Sequence, residues 1–74
     1  MNYKASIIIE KDENGYYAFS PELAGCQSQG DTLDEAVANI KEAAELYVET
    51  LSPEEIQTIF NTEIYTTTYE VKVA

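Results

Sequence analysis

From Tyr3 to Lys11 the chain alternates, with Tyr3, Ala5, Ile7 and Ile9 forming a mostly apolar set and Lys4, Ser6, Ile8 and Glu10 a more polar one. Period two predicts a strand with one buried face. Asp12-Glu13-Asn14-Gly15 supplies residues that tolerate positive φ in a tight connection, and Tyr16-Tyr17-Ala18-Phe19 resumes strand chemistry, so the pair predicts a β-hairpin. Ser20 to Gly25 is a turn-rich link, because Pro21 lacks the donor that a ladder needs and Gly25 relaxes the backbone. A short third strand is expected over Cys26 to Gln29, before Gly30.

The strongest local pattern begins at Thr32. Thr32-Leu33-Asp34-Glu35 fits a capping box, with Thr32 as N-cap and Glu35 closing the reciprocal hydrogen bond. Leu33, Ala36, Val37, Ile40, Ala44, Tyr47, Val48 and Leu51 then recur at spacings of three and four, one apolar stripe on a long helix. Ser52-Pro53-Glu54-Glu55 is a second start signal and predicts a brief helix through Ile56, Ile59 and Phe60. From Glu63 to Val73 the period returns to two, which predicts a long closing strand.

The expected fold is therefore α+β, in the order β-β-β-α-(α)-β, as a single domain over residues 1–74. A right-handed crossover would lay strand four parallel to strand one, giving sheet order 3-2-1-4 with the helix on one face. The other face has nothing in the chain to cover it, and Ile8, Ile64 and Tyr16 or Tyr17 predict a partly apolar surface there. A domain this short buries only about 60% of the surface its unfolded chain exposes. Self-association, with a homodimer as the simplest closed form, is the expected remedy.

Charge narrows the range of partners. Fourteen acidic side chains face four lysines, with no arginine or histidine, for a formal net charge of −10. Phosphate backbones are bound through clustered Lys and Arg, so direct nucleic-acid binding is not expected, and a basic protein suits this chain better. The absence of histidine and the single Cys26 exclude Cys-His catalysis and the usual zinc spacings. One thiol cannot form an internal disulfide, no charged-then-apolar leader opens the chain, and Ile7-Ile8-Ile9 is far too short to span a bilayer. A cytoplasmic protein without cofactors follows as the expectation. The acids gather at helix starts, on the outer helix face and in turns, where capping and solvation account for them, so no enzyme is expected.

The stretch Tyr16-Tyr17-Ala18-Phe19-Ser20-Pro21-Glu22-Leu23-Ala24-Gly25-Cys26-Gln27-Ser28-Gln29-Gly30-Asp31-Thr32-Leu33-Asp34-Glu35-Ala36, continuing to Glu49, resembles the HicB antitoxin family. That family's pattern is an aromatic strand, P-x-L-P-G-C, a short polar strand, G-[DE]-[ST] and a helix beginning x-x-E-A. Ala24 departs from it, standing where proline is usual. The resemblance implies a partial ribonuclease H-like fold without the catalytic acids. It also implies a partner, a small basic HicA-like mRNA-cleaving toxin whose active-site histidine the antitoxin covers. Longer relatives carry a C-terminal DNA-binding segment, which is not expected after Ala74. Candidate acidic contacts to such a toxin are Glu22 in the turn after strand two, with Asp31 and Asp34 at the helix start. Asp31 and Asp34 could equally serve only to support the helix N-terminus. The alternative is a stand-alone ligand-binding or vestigial ribonuclease H-like domain with no toxin partner.

Overall fold

Five elements appear in the computed structural model, which describes residues 2–74: β1 (Ile8–Asp12), β2 (Gly15–Phe19), β3 (Gln27–Gly30), α1 (Leu33–Glu49) and α2 (Pro53–Phe60). The hairpin forms where turn chemistry places it. Asp12 pairs with Gly15 across Glu13 and Asn14, the Asn14 N–H donates to Asp12 Oδ1 at 2.8 Å, and Gly15 takes φ +124°. The link from β2 to β3 closes on itself through Ser20 N–H to Cys26 O (3.2 Å) and Cys26 N–H to Leu23 O (2.9 Å). With Gly25 at φ +83° in the third position, Leu23-Ala24-Gly25-Cys26 has the signature of a type II turn. The turn drives Leu23 inward, where it is fully buried.

Thr32 caps α1, its hydroxyl accepting from Glu35 N–H at 3.1 Å. The reciprocal half of the expected capping box is displaced by one residue: Glu35 Oε2 accepts from the N–H of Asp31, at 2.9 Å, rather than from that of Thr32. At α2 the box is complete, with Ser52 N–H donating to Glu55 Oε1 at 3.0 Å and Glu55 N–H to Ser52 Oγ at 3.1 Å. The Ser52 backbone N–H, and after it the Ser52 side chain, hold the exposed Glu55 carboxyl below its ordinary range. A depressed carboxyl stabilises the fold above its unfolded pKa, and the contribution is lost as pH falls through the folded value.

Strand pairing sorts the side chains into two faces. Ile9, Ala18 and Ser28 align across the sheet, as do Lys11, Tyr16 and Gly30, on the side that α1 covers. Ala18, Leu23, Cys26, Ala36 and Ile40 form the buried core, flanked by Ala5, Ile9, Tyr16, Ala43, Ala44, Tyr47, Val48, Ile59 and Phe60. Leu33, the first residue of the predicted stripe, is instead half exposed: it opens the helix, and the contact with β3 is made by Ala36 further round the first turn. Tyr3 stacks on Phe60 with centroids 4.9 Å apart, tying the N-terminal segment to α2.

The closing strand expected over Glu63–Val73 does not form in the chain. Among the described residues the sheet has three antiparallel strands in the order β1-β2-β3, so the expected 3-2-1-4 order lacks its fourth member. β-propensity stabilises a strand only through its neighbours, and residues 61–74 form no ladder with any strand of their own chain. The first strand is shorter than its alternation for the same reason. Ile8 pairs with Phe19, the last residue of β2, so Tyr3 to Ile7 have no ladder to join.

Two substitutions should move stability in opposite directions in urea denaturation. A Cβ at Gly30 would stand 2.7 Å from the Ala36 nitrogen and 2.8 Å from Glu35 Cβ. Gly30→Ala should therefore cost about 1–3 kcal/mol by forcing α1 off the sheet. Ala24→Pro, at the second position of the type II turn, should add about 0.4–1 kcal/mol by restricting the unfolded chain. An unchanged midpoint in Gly30→Ala would show that helix and strand are not held in close contact.

Candidate partner-binding surfaces

On the face opposite α1, strand pairing aligns Ile8 with Phe19 and Gln27, and Glu10 with Tyr17 and Gln29. Tyr17 and Phe19, two residues apart on β2, set their rings 5.7 Å apart, and the Tyr17 hydroxyl donates to Gln27 Oε1 at 2.5 Å. Tyr17 remains 38% exposed. The result is a small apolar centre of Ile8, Tyr17 and Phe19, bordered by the amides of Gln27 and Gln29. Such a face suits a protein surface better than a small molecule, since aromatic rings supply contact area and the amides adapt their hydrogen bonds.

The three candidate acids do not form one cluster. Glu22 is half-buried in the β2–β3 link, and its two carboxylate oxygens accept the Ser6 N–H at 2.9 and 3.1 Å. It acts as a clip on the segment before β1, at the end of the sheet where Phe19 pairs with Gln27. Asp31 and Asp34 are exposed at the opposite end, where Gly30 pairs with Tyr16. There Asp31 helps to line a polar hollow of about 350 Å³, together with Asn14, Gln29, Gly30, Glu35 and Asn39. Asn39 donates to Gln29 O at 2.8 Å across this hollow. With Asp12 and Glu13 in the adjoining hairpin corner, this end of the sheet is acidic, and Lys11 lies 5.6 Å from the Tyr16 ring centroid beside it.

Among the described residues, no group of three or more His, Cys, Asp or Glu side chains converges to hold a metal ion. Cys26 is buried, and that burial raises its thiol pKa, which keeps it in the unreactive protonated form. No helix among the described residues is long and apolar enough to cross a membrane. Of Ile8, Ile64 and Tyr16 or Tyr17, the residues expected on the open face, Ile8 and Tyr17 lie there, whereas Tyr16 packs on the core side and Ile64 stands in no strand; Phe19 and the two glutamines were not foreseen, although Phe19 stands two residues beyond Tyr17 on the same strand.

Comparison with known proteins places this sequence among relatives. The model of a family described as HicB-like antitoxin of bacterial toxin–antitoxin systems matches residues 5–72. A UPF0150 protein of Helicobacter pylori is 59% identical over 49 residues, covering 66% of this chain and 68% of that one. A UPF0150 protein of Synechocystis sp. is 53% identical over 53 residues, 70% of this chain and 67% of the relative. One from Archaeoglobus fulgidus is 53% identical over 47 residues, 62% and 68% respectively. No solved structure matches the chain significantly.

The structural role of Glu22 is testable apart from any partner. Glu22→Ala removes the only side-chain acceptor shown for Ser6 N–H and should cost about 1–2 kcal/mol. Amide hydrogen exchange at Ser6 should accelerate, while Asp31→Asn leaves it unchanged. Equal protection of Ser6 in wild type and Glu22→Ala would remove Glu22 from this role.

Proposed function

The chain belongs to the HicB-like antitoxin family of bacterial toxin–antitoxin systems, and from that premise we propose that it neutralises a small basic HicA-like mRNA-cleaving toxin by covering the toxin's active site. The observation that carries this reading is the placement of Asp31 and Asp34, exposed at the acidic end of the sheet, beside an aromatic face that the chain's own helices leave open. A ribonuclease must present positive charge to RNA. A chain of −10 formal charge competes for that same face, and complementary charge speeds encounter while packing sets the lifetime of the complex.

In this reading the labour is divided. Asp31 and Asp34 steer the basic partner, Ile8, Tyr17 and Phe19 supply the desolvated contact, and Glu22 supports the fold behind them. The chain acts as one protein-binding domain, catalyses nothing and requires no cofactor. Nucleic acid is not its direct partner, since its four lysines, Lys4, Lys11, Lys41 and Lys72, are dispersed along the sequence.

The double variant Asp31→Lys/Asp34→Lys should slow association with the cognate toxin by about tenfold or more at low salt, the effect shrinking as ionic strength rises. Tyr17→Ala should leave the association rate nearly unchanged and hasten dissociation. Stopped-flow binding and an RNA-cleavage assay read both, with circular dichroism confirming the fold. Neutralisation at unchanged rate and affinity in the double variant would place the docking face elsewhere.

A further inference from the structure

Two segments of this chain have the pattern of strands and no strand to pair with. Residues 63–73 alternate Tyr65, Thr67, Tyr69, Val71 and Val73 against Ile64, Thr66, Thr68, Glu70 and Lys72, yet Tyr65, Tyr69, Val71 and Val73 are 71–87% exposed. Tyr3 to Ile7 continue the alternation of β1 beyond the reach of β2, with Tyr3 and Ile7 partly exposed. The second of these segments continues an open edge: β1, like β3, is terminal in the sheet, and the outer N–H and C=O groups of β1 face no neighbour among the described residues.

We propose that this edge is completed by a second copy of the chain, two copies exchanging residues 63–73 so that each tail becomes the fourth strand of the other's sheet. Shape supports exchange over folding back. The radius of gyration is 14.4 Å and the long axis 49 Å, whereas a compact chain of this length has a radius of gyration near ~11 Å. That elongated outline accords with a tail in which every residue from 65 to 74 is exposed.

Length and charge agree with this pairing. An edge running from Tyr3 to Asp12 and a tail from Glu63 to Val73 match to within one residue, each spanning roughly 33–37 Å as strand. Edge and tail together present about twenty residues from each copy, the size of a standard stable interface. The tail is also the part of the chain least opposed by self-repulsion. Of fourteen acids only Glu63 and Glu70 fall within residues 61–74, with Lys72 beside them, which leaves a formal charge of −1 in a chain of −10. Because each copy gives one strand and receives one, the arrangement closes as a two-fold dimer and leaves no β1 edge to propagate.

The test needs no toxin, so its outcome is separate from that of the antitoxin reading. Sedimentation of the purified chain should give twice the 8.3 kDa chain mass. Amides of residues 64–72 should be protected from exchange in the dimer and lose protection on dilution. Mixed samples of labelled and unlabelled chain should show intermolecular contacts between residues 63–73 and residues 3–9. Thr67→Pro, in the tail and outside the core, should weaken the dimer by about a hundredfold or more while leaving the helical signal intact; Val71→Lys should act in the same direction. A stable monomer, a dimer that survives Thr67→Pro, or tail protection that is independent of concentration would each overturn the exchange.

Discussion

The close approach of α1 to β3 at Gly30 sets the geometry of the whole molecule. Only a residue without a Cβ lets the helix backbone at Ala36 sit so near the strand, and the residues around the contact are correspondingly small: Ala18 and Ser28 on the sheet, Ala36 on the helix. A thin interface of this kind brings helix and sheet together with little side-chain volume between them. Its consequence is a small core, in which Leu23 and Ile40 are the largest fully buried side chains. Leu23 comes from the β2–β3 link, so the type II turn at Ala24-Gly25 is part of the core's construction rather than a loop laid over it.

One helix layer on a three-stranded sheet leaves the opposite face to solvent, and its chemistry is not that of a solvated surface alone. Ile8, Tyr17 and Phe19 form an apolar centre where strand alternation would otherwise place polar groups, while the acids collect at the sheet end that holds the hairpin corner and the α1 N-terminus. Charge and aromatic area thus occupy adjoining parts of one surface. In the proposed role both would serve, because long-range attraction governs how often a charged partner arrives and desolvated contact governs how long it stays.

The three acids singled out from the sequence show how one residue type serves different ends. Glu22 holds the Ser6 N–H between its two carboxylate oxygens and so ties the segment before β1 to the β2–β3 link. Asp31 lends its backbone N–H to Glu35, which leaves its own side chain exposed, and Asp34 stands exposed in the first helical turn, favourably placed toward the helix dipole. Their sequence positions alone could not separate these roles, since all three lie near loop ends.

Local physical chemistry settled much of this protein from the sequence alone. The hairpin corner at Asp12–Gly15, the Thr32 and Ser52 caps and the helical stripe through Ala36 and Ile40 depend on residues within a few positions of one another, and the structure contains each of them. The family was also legible, because its motif lies in a contiguous stretch. What only the tertiary structure decided involves partners distant in the chain. Glu22 found Ser6 sixteen residues away, and Phe19 joined Ile8 and Tyr17 on the open face through strand register. Glu63–Val73 found no strand in its own chain at all. Alternation states which residues could share a face, but a strand exists only where another strand accepts its hydrogen bonds, and that neighbour is a property of the assembled fold.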